Sequence, residues 1–95
     1  MNKYEGVFIL KANLDKDAQE KVIEEIKEVV TKNKGEVEQV QNWGKRKFTF
    51  LIKKQIEGFY FLIDFSLKST HVKKIENSFK LNDSILRFMI IRKES

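Results

Sequence analysis

From Gln39 to Ile56 the chain holds no acidic residue and five basic ones: Lys45, Arg46, Lys47, Lys53 and Lys54. The centre of this window, Trp43 to Lys54, reads WGKRKFTFLIKK, cations interleaved with aromatic and aliphatic residues. Laid out as a strand, such a segment buries part of its pattern and presents its cations to a polyanion. The chemistry on offer is phosphate neutralisation, with affinity that falls steeply as salt is added. An edge strand protected from aggregation by lysines has a similar composition. The polyanion reading is favoured because no acid compensates the run over eighteen residues, and because Trp43 stands beside Gly44. Arg87, Arg92 and Lys93 near the end of the chain, and Lys3 near its start, add charge of the same sign.

No other constellation carries chemistry. Glu24, Glu25 and Glu28 lie on the polar side of an amphipathic pattern and read as a solvated helix face. His71 has no nucleophile or carboxylate at a telling spacing, and one histidine does not make a metal site. The four glycines, at positions 6, 35, 44 and 58, are isolated and form no phosphate-cradling loop. The absence of cysteine excludes disulfides and thiolate metal sites. The expectation is a non-enzyme with no cofactor, metal or small-molecule substrate. No apolar run approaches a membrane span, and MNKYEGVFIL lacks the layout of a secretory signal, so a cytoplasmic protein with no membrane partner is expected.

Ninety-five residues, 41% hydrophobic and 35% charged, suit one domain with one core, taken here as residues 1–95. The formal net charge is +5, and it is segregated. Eight acids and five bases lie between Asp15 and Glu38, so the positive excess comes from the middle and the C-terminal end. Tyr4 to Lys11 alternates, with Tyr4, Phe8 and Leu10 on one face and Val7 and Ile9 on the other. A strand apolar on both sides belongs inside a sheet. A helix follows, with Asp15 as N-cap and Ala18, Val22, Ile26, Val29 and Val30 as its buried stripe. Gly35 reads as its left-handed stop.

Val37 to Ile52 is extended. Val37 and Val40 differ in parity, so a bulge between them, or a bend near Gly44, is needed to keep one face buried. This register buries Phe48, Phe50 and Ile52 and turns Lys45, Lys47 and Thr49 the other way. Lys53 to Gly58 reads as a turn and Phe59 to Leu67 as a central strand. A second helix, capped by Ser69 or Thr70 and burying Val72, Ile75 and Phe79, runs to Lys80. Ile85 to Arg92 is the last strand. The order predicts an α+β, ferredoxin-like split βαβ fold (β-α-β-β-α-β), a four-stranded antiparallel sheet with two helices on one face. The other face would expose Val7, Ile9, Tyr60, Leu62, Met89 and Ile91. Uncovered apolar area of this kind marks a protein interface. The absence of an RNP-type aromatic motif argues against base stacking there.

The segments NLD at Asn13–Asp15, NWGKRKFTFLIKK from Asn42, EGFYFLIDF from Glu57 and LNDSILRFMIIRK from Leu81, with Tyr4-Glu5, together resemble bacterial small-subunit ribosomal protein six. The family commonly has tyrosine where Phe50 stands and proline where Leu51 stands. The resemblance implies no enzymatic activity and binding to the central domain of the small-subunit ribosomal RNA with small-subunit ribosomal protein eighteen. Lys45, Arg46 and Lys47 match the family's basic motif, and Arg87 and Arg92 match basic positions of its last strand. With Lys3, Lys53, Lys54 and Lys93 they make the expected RNA contacts, and the open sheet face makes the protein contact. A regulatory module that binds a metabolite and oligomerises through its sheet is the alternative. It has no need of the acid-free basic window.

Overall fold

Alternation in the first segment is realised as a strand, β1 (Asn2–Lys11), inside a four-stranded antiparallel sheet. The computed structural model describes residues 1–93. After β1 come helix α1 (Lys16–Lys32), β2 (Glu36–Ile52), β3 (Gln55–Leu67), a 3-10 turn at Ser69–His71, helix α2 (Val72–Lys80) and β4 (Ile85–Arg92). The spatial order is β2-β3-β1-β4, the split βαβ arrangement. The two strands that are apolar on both sides, β3 and β1, are the two internal ones.

Phe8 stands opposite Phe61 of β3 and Phe88 of β4, so these three share the helix-covered face. Phe8 is fully buried, meets Phe79 of α2 edge-on at 5.0 Å and stacks on Phe88 at 6.3 Å. Val22, Ile26 and Val30 of α1 and Ile75 of α2 complete the core over Leu10, Ile63, Phe65 and Leu67. Ile23 joins the buried stripe of α1, while Ala18 and Val29 stay half-buried.

The ends of the helices are made differently from one another. Asp15 caps α1 as expected, its Oδ1 accepting from the Ala18 backbone N–H at 2.8 Å. At the other end the expectation for Gly35 is overturned. Lys34, not Gly35, holds the left-handed conformation, at φ +64°. The Lys34 N–H donates to Thr31 O at 3.0 Å and the Gly35 N–H to Val30 O at 2.9 Å, the paired bonds of a Schellman close. Gly35 is required by space instead: a Cβ there would lie 2.7 Å from both Ser66 O and a Leu67 methyl. Neither Ser69 nor Thr70 caps α2, which starts from the 3-10 turn without a side-chain cap. His71 ties this start to the end of α1, with Nδ1 2.8 Å from Asn33 O. A carbonyl only accepts, so Nδ1 carries the hydrogen, and the histidine is structural.

Two neighbouring substitutions separate these roles. Lys34→Gly should raise stability by about 0.5–1 kcal/mol by relieving the left-handed side chain. Gly35→Ala should lower it by on the order of 1–3 kcal/mol through overlap with β3. Urea denaturation of the two variants gives both signs; a gain for Gly35→Ala would contradict the packing described.

Candidate nucleic-acid and partner interface

The direction of each basic side chain depends on how β2 pairs with β3. Val37 faces Phe65 and Gln39 faces Asp64, which leaves Glu38 as an extra residue. Asn42 faces Phe61 and Gly44 faces Tyr60, which leaves Trp43 as a second. Further out, Lys47 faces Glu57 and Ile52 faces Gln55, so residues 48–51 stand against Ile56 alone. The expected break therefore occurs both between Val37 and Val40 and at Gly44. Each extra residue reverses the alternation that follows it. Gly44 allows the second break by taking φ +82°, with its N–H bound to Asn42 Oδ1 at 2.8 Å.

The second reversal, at Trp43, undoes the face assignment read from the parity of Val40. Arg46 faces Gly58 and lies on the open side of the sheet. Phe48 lies there too, its ring 6.1 Å from that of Tyr60. Phe50 and Ile52 line an open-face cleft with it rather than joining the core, and Phe50 is 61% exposed. Lys45 points the opposite way from that expected, to the helix side, with Nζ 5.3 Å from the centre of the Phe59 ring. Lys47, opposite Glu57, stands at the start of the irregular stretch and lines the cleft mouth. The basic run thus faces two directions, Lys45 to the helix side and Arg46 to the open side.

Beyond Gly58, where β1 ends, β2 and β3 continue as a two-stranded arm. The expected turn at Lys53–Gly58 is shorter: Lys53 and Lys54 alone form it, at φ +49° and +65°, and β3 begins at Gln55. Both turn residues thus hold the positive φ of a type I′ hairpin without glycine or asparagine. The arm bends over the sheet, bringing Lys53 into one hollow with Lys80, Arg87 and the single acid Glu76. Lys80, absent from the sequence expectation, belongs to this basic group. Its only signal was a cation in the last turn of α2.

Not every expected cation is free. Lys3 pairs with Glu38 at 3.7 Å, Lys93 with Asp64 at 3.0 Å, and Arg92 donates to Asn2 Oδ1 at 3.0 Å. Among the described residues, Lys45, Arg46, Lys47, Lys53, Lys54 and Arg87 have no acidic partner within ion-pair distance, and all six are exposed. They follow the arm from its root to its tip and across to β4.

The open face also departs from expectation. Register places Val7, Ile9, Tyr60, Leu62, Met89 and Ile91 together on it. Met89 and Ile91 are about half exposed, but Ile9 and Leu62 are buried, at 7% and 8%. The arm accounts for Ile9: a Cβ on Gly58 would sit 2.8 Å from Ile9 Cγ2 and 3.1 Å from Phe48 Cζ, so glycine admits the closing ring. Ile9 and Leu62 form a floor, not a contact surface. Among the described residues no group of acids and histidine could hold a metal ion, and no helix is long and apolar enough to cross a membrane.

The described residues thus form a ferredoxin-like domain with free cations along a projecting arm and a half-covered apolar sheet face. Residues 3–92 match the family described as Ribosomal protein S6, and the chain belongs to that family. Small ribosomal subunit protein bS6 of Clostridium acetobutylicum is 43% identical over 94 residues, 99% of each chain. Its counterpart in Clostridium novyi is 39% identical over 94 residues, again 99% of each. The crystal structure of 30S ribosomal protein S6 from Thermotoga maritima superposes with a TM-score of 0.90 at 30% identity, covering 97% of this chain and 87% of that one. Both the resemblance read from the motifs and the expected fold stand.

The turn supplies a test of the arm. Lys53→Asn with Lys54→Gly should stabilise the protein by about 1 kcal/mol, because residues tolerant of positive φ replace two that are not. A thermal midpoint that stays level or falls would rule out the type I′ geometry.

Proposed function

We propose that this chain, a ribosomal protein of the S6 family, is a structural component of the small subunit of the cytoplasmic ribosome. In this reading it binds the central domain of the small-subunit ribosomal RNA together with small-subunit ribosomal protein eighteen. The observation that carries the reading is the chain of unpaired cations from Lys45 and Arg46 to Lys53 and Lys54 at the arm tip. Phosphate oxygens satisfy such groups without any catalytic apparatus, and structured RNA is recognised largely through shape and backbone. Lys45, Arg46, Lys53 and Lys54 are the RNA contacts, and Lys47 and Arg87 stand at the cleft where the arm meets the partner face. Lys3, Arg92 and Lys93 have internal partners and reach RNA only by exchanging them. The protein partner rests on Val7, Tyr60, Met89 and Ile91, over the floor of Ile9 and Leu62.

Binding of a central-domain RNA fragment across a salt series, with protein eighteen present, tests this assignment. Each phosphate that is no longer neutralised should reduce the slope of log affinity against log salt by roughly 0.7–0.9. Replacing Lys45, Arg46 and Lys54 together with alanine should therefore lower the slope by about two to three. Lys3→Ala with Lys93→Ala should lower it by less than half as much per cation. An unchanged slope in the triple variant, with folding intact by circular dichroism, would refute the RNA surface.

A further inference from the structure

The open sheet face has a charge polarity as well as an apolar floor. At the arm end, a cleft of about 400 Å³ runs between the arm and the sheet. Val7, Phe48, Tyr60 and Met89 are among its apolar walls, and its charged lining is Lys47 and Arg87, with no acid. At the other end Glu5 of β1 stands directly opposite Asp64 of β3. Two carboxylates in that relation repel. Asp64 is answered by Lys93 at 3.0 Å, whereas Glu5 has no cation within ion-pair distance among the described residues. Met89 lies between the two ends and Ile91 beside Glu5, both about half exposed.

We propose that this face seats one segment of the protein partner in a fixed direction, with an acidic group against Arg87 and Lys47, apolar side chains in the middle, and a basic group at Glu5. The proposal rests on the protein-partner reading given above and adds the chemistry and orientation of what binds. Arg87 is registered with Ile9 and Ile91 with Glu5, so the two charged ends are four residues apart along β4. At the rise of a strand this is roughly 13 Å. An extended segment spans it with an acid and a base four residues apart, and a helical one with about nine. RNA fits the face less well. Its phosphates would meet Glu5 and Asp64 at one end, where Glu5 has no cation to offset it among the described residues.

The test is a variant that reverses the polarity without altering total charge. Glu5→Lys with Arg87→Glu keeps the formal charge at +5. It also places a lysine opposite Asp64, so the sheet is relieved of a repulsion rather than given one. Protein eighteen, titrated calorimetrically against this variant, should bind at least tenfold more weakly than to the natural protein. Glu5→Gln with Arg87→Gln should show a smaller loss. Equal binding by all three proteins would overturn the polarity while leaving the partner reading intact. Failure of protein eighteen to bind the natural protein would remove both. Loss of RNA binding in the reversed variant, with binding of protein eighteen unchanged, would assign the face to RNA and overturn the proposal.

Discussion

Burial of β1 and β3 on both faces is the constraint from which the rest follows. On the helix side Phe8 is enclosed by Phe79 and Phe88, and Ile63, Phe65 and Leu67 lie beneath α1 and α2. Those contacts hold the sheet to the helices and fix which alternate residues of each strand are spoken for. Every remaining side chain of β1 and β3 is thereby committed to the opposite face, because the pleat offers only two directions. The apolar residues found there, Val7, Ile9, Tyr60 and Leu62, cannot be withdrawn into the core without exposing Phe8 and its neighbours. A part-covered apolar face is thus a consequence of the core.

The arm is the answer to part of that exposed area. By bringing Phe48 against Gly58 beside Ile9 it covers the upper floor and leaves Met89 and Ile91 exposed. Doing so carries local costs: an irregular stretch at residues 48–51, a glycine at position 58 for close approach, and two lysines at positive φ in the turn. Backbone held in sparsely populated regions tends to be kept where it serves a site. Here the cost sets two cations, Lys53 and Lys54, at the point of the arm.

Charge is distributed by the same geometry. Of the acids on the sheet, Glu38 is met by Lys3 and Asp64 by Lys93, while Glu5 is left unanswered among the described residues. Exposed pairs such as Lys3 and Glu38 contribute about 0–1 kcal/mol each, so their role is better seen as keeping carboxylates from answering the arm. The surface that remains free is basic at the arm and acidic near Glu5, which is enough to orient a partner as well as attract one.

Element order, the buried stripes of both helices, the centrality of β1 and β3 and the span of β4 were all legible in the residues. Each rests on a period of two or 3.6 that survives over many positions, and the motifs from Asn42 and Leu81 were sufficient to indicate the family. The need for a break near Val37 or Gly44 was also legible. How many breaks occur was not, and that number decides which way Arg46, Phe48 and Lys45 point. Parity is conserved along a strand only while pairing is regular; one unpaired residue at Trp43 exchanges the two faces for everything beyond it. The same limit hid the ion pairs of Lys3 and Lys93, whose partners stand on other strands. Composition and periodicity, being local, therefore determined the fold and the sign of the charge. Pairing between distant strands, which only the tertiary structure supplies, decided where that charge is aimed.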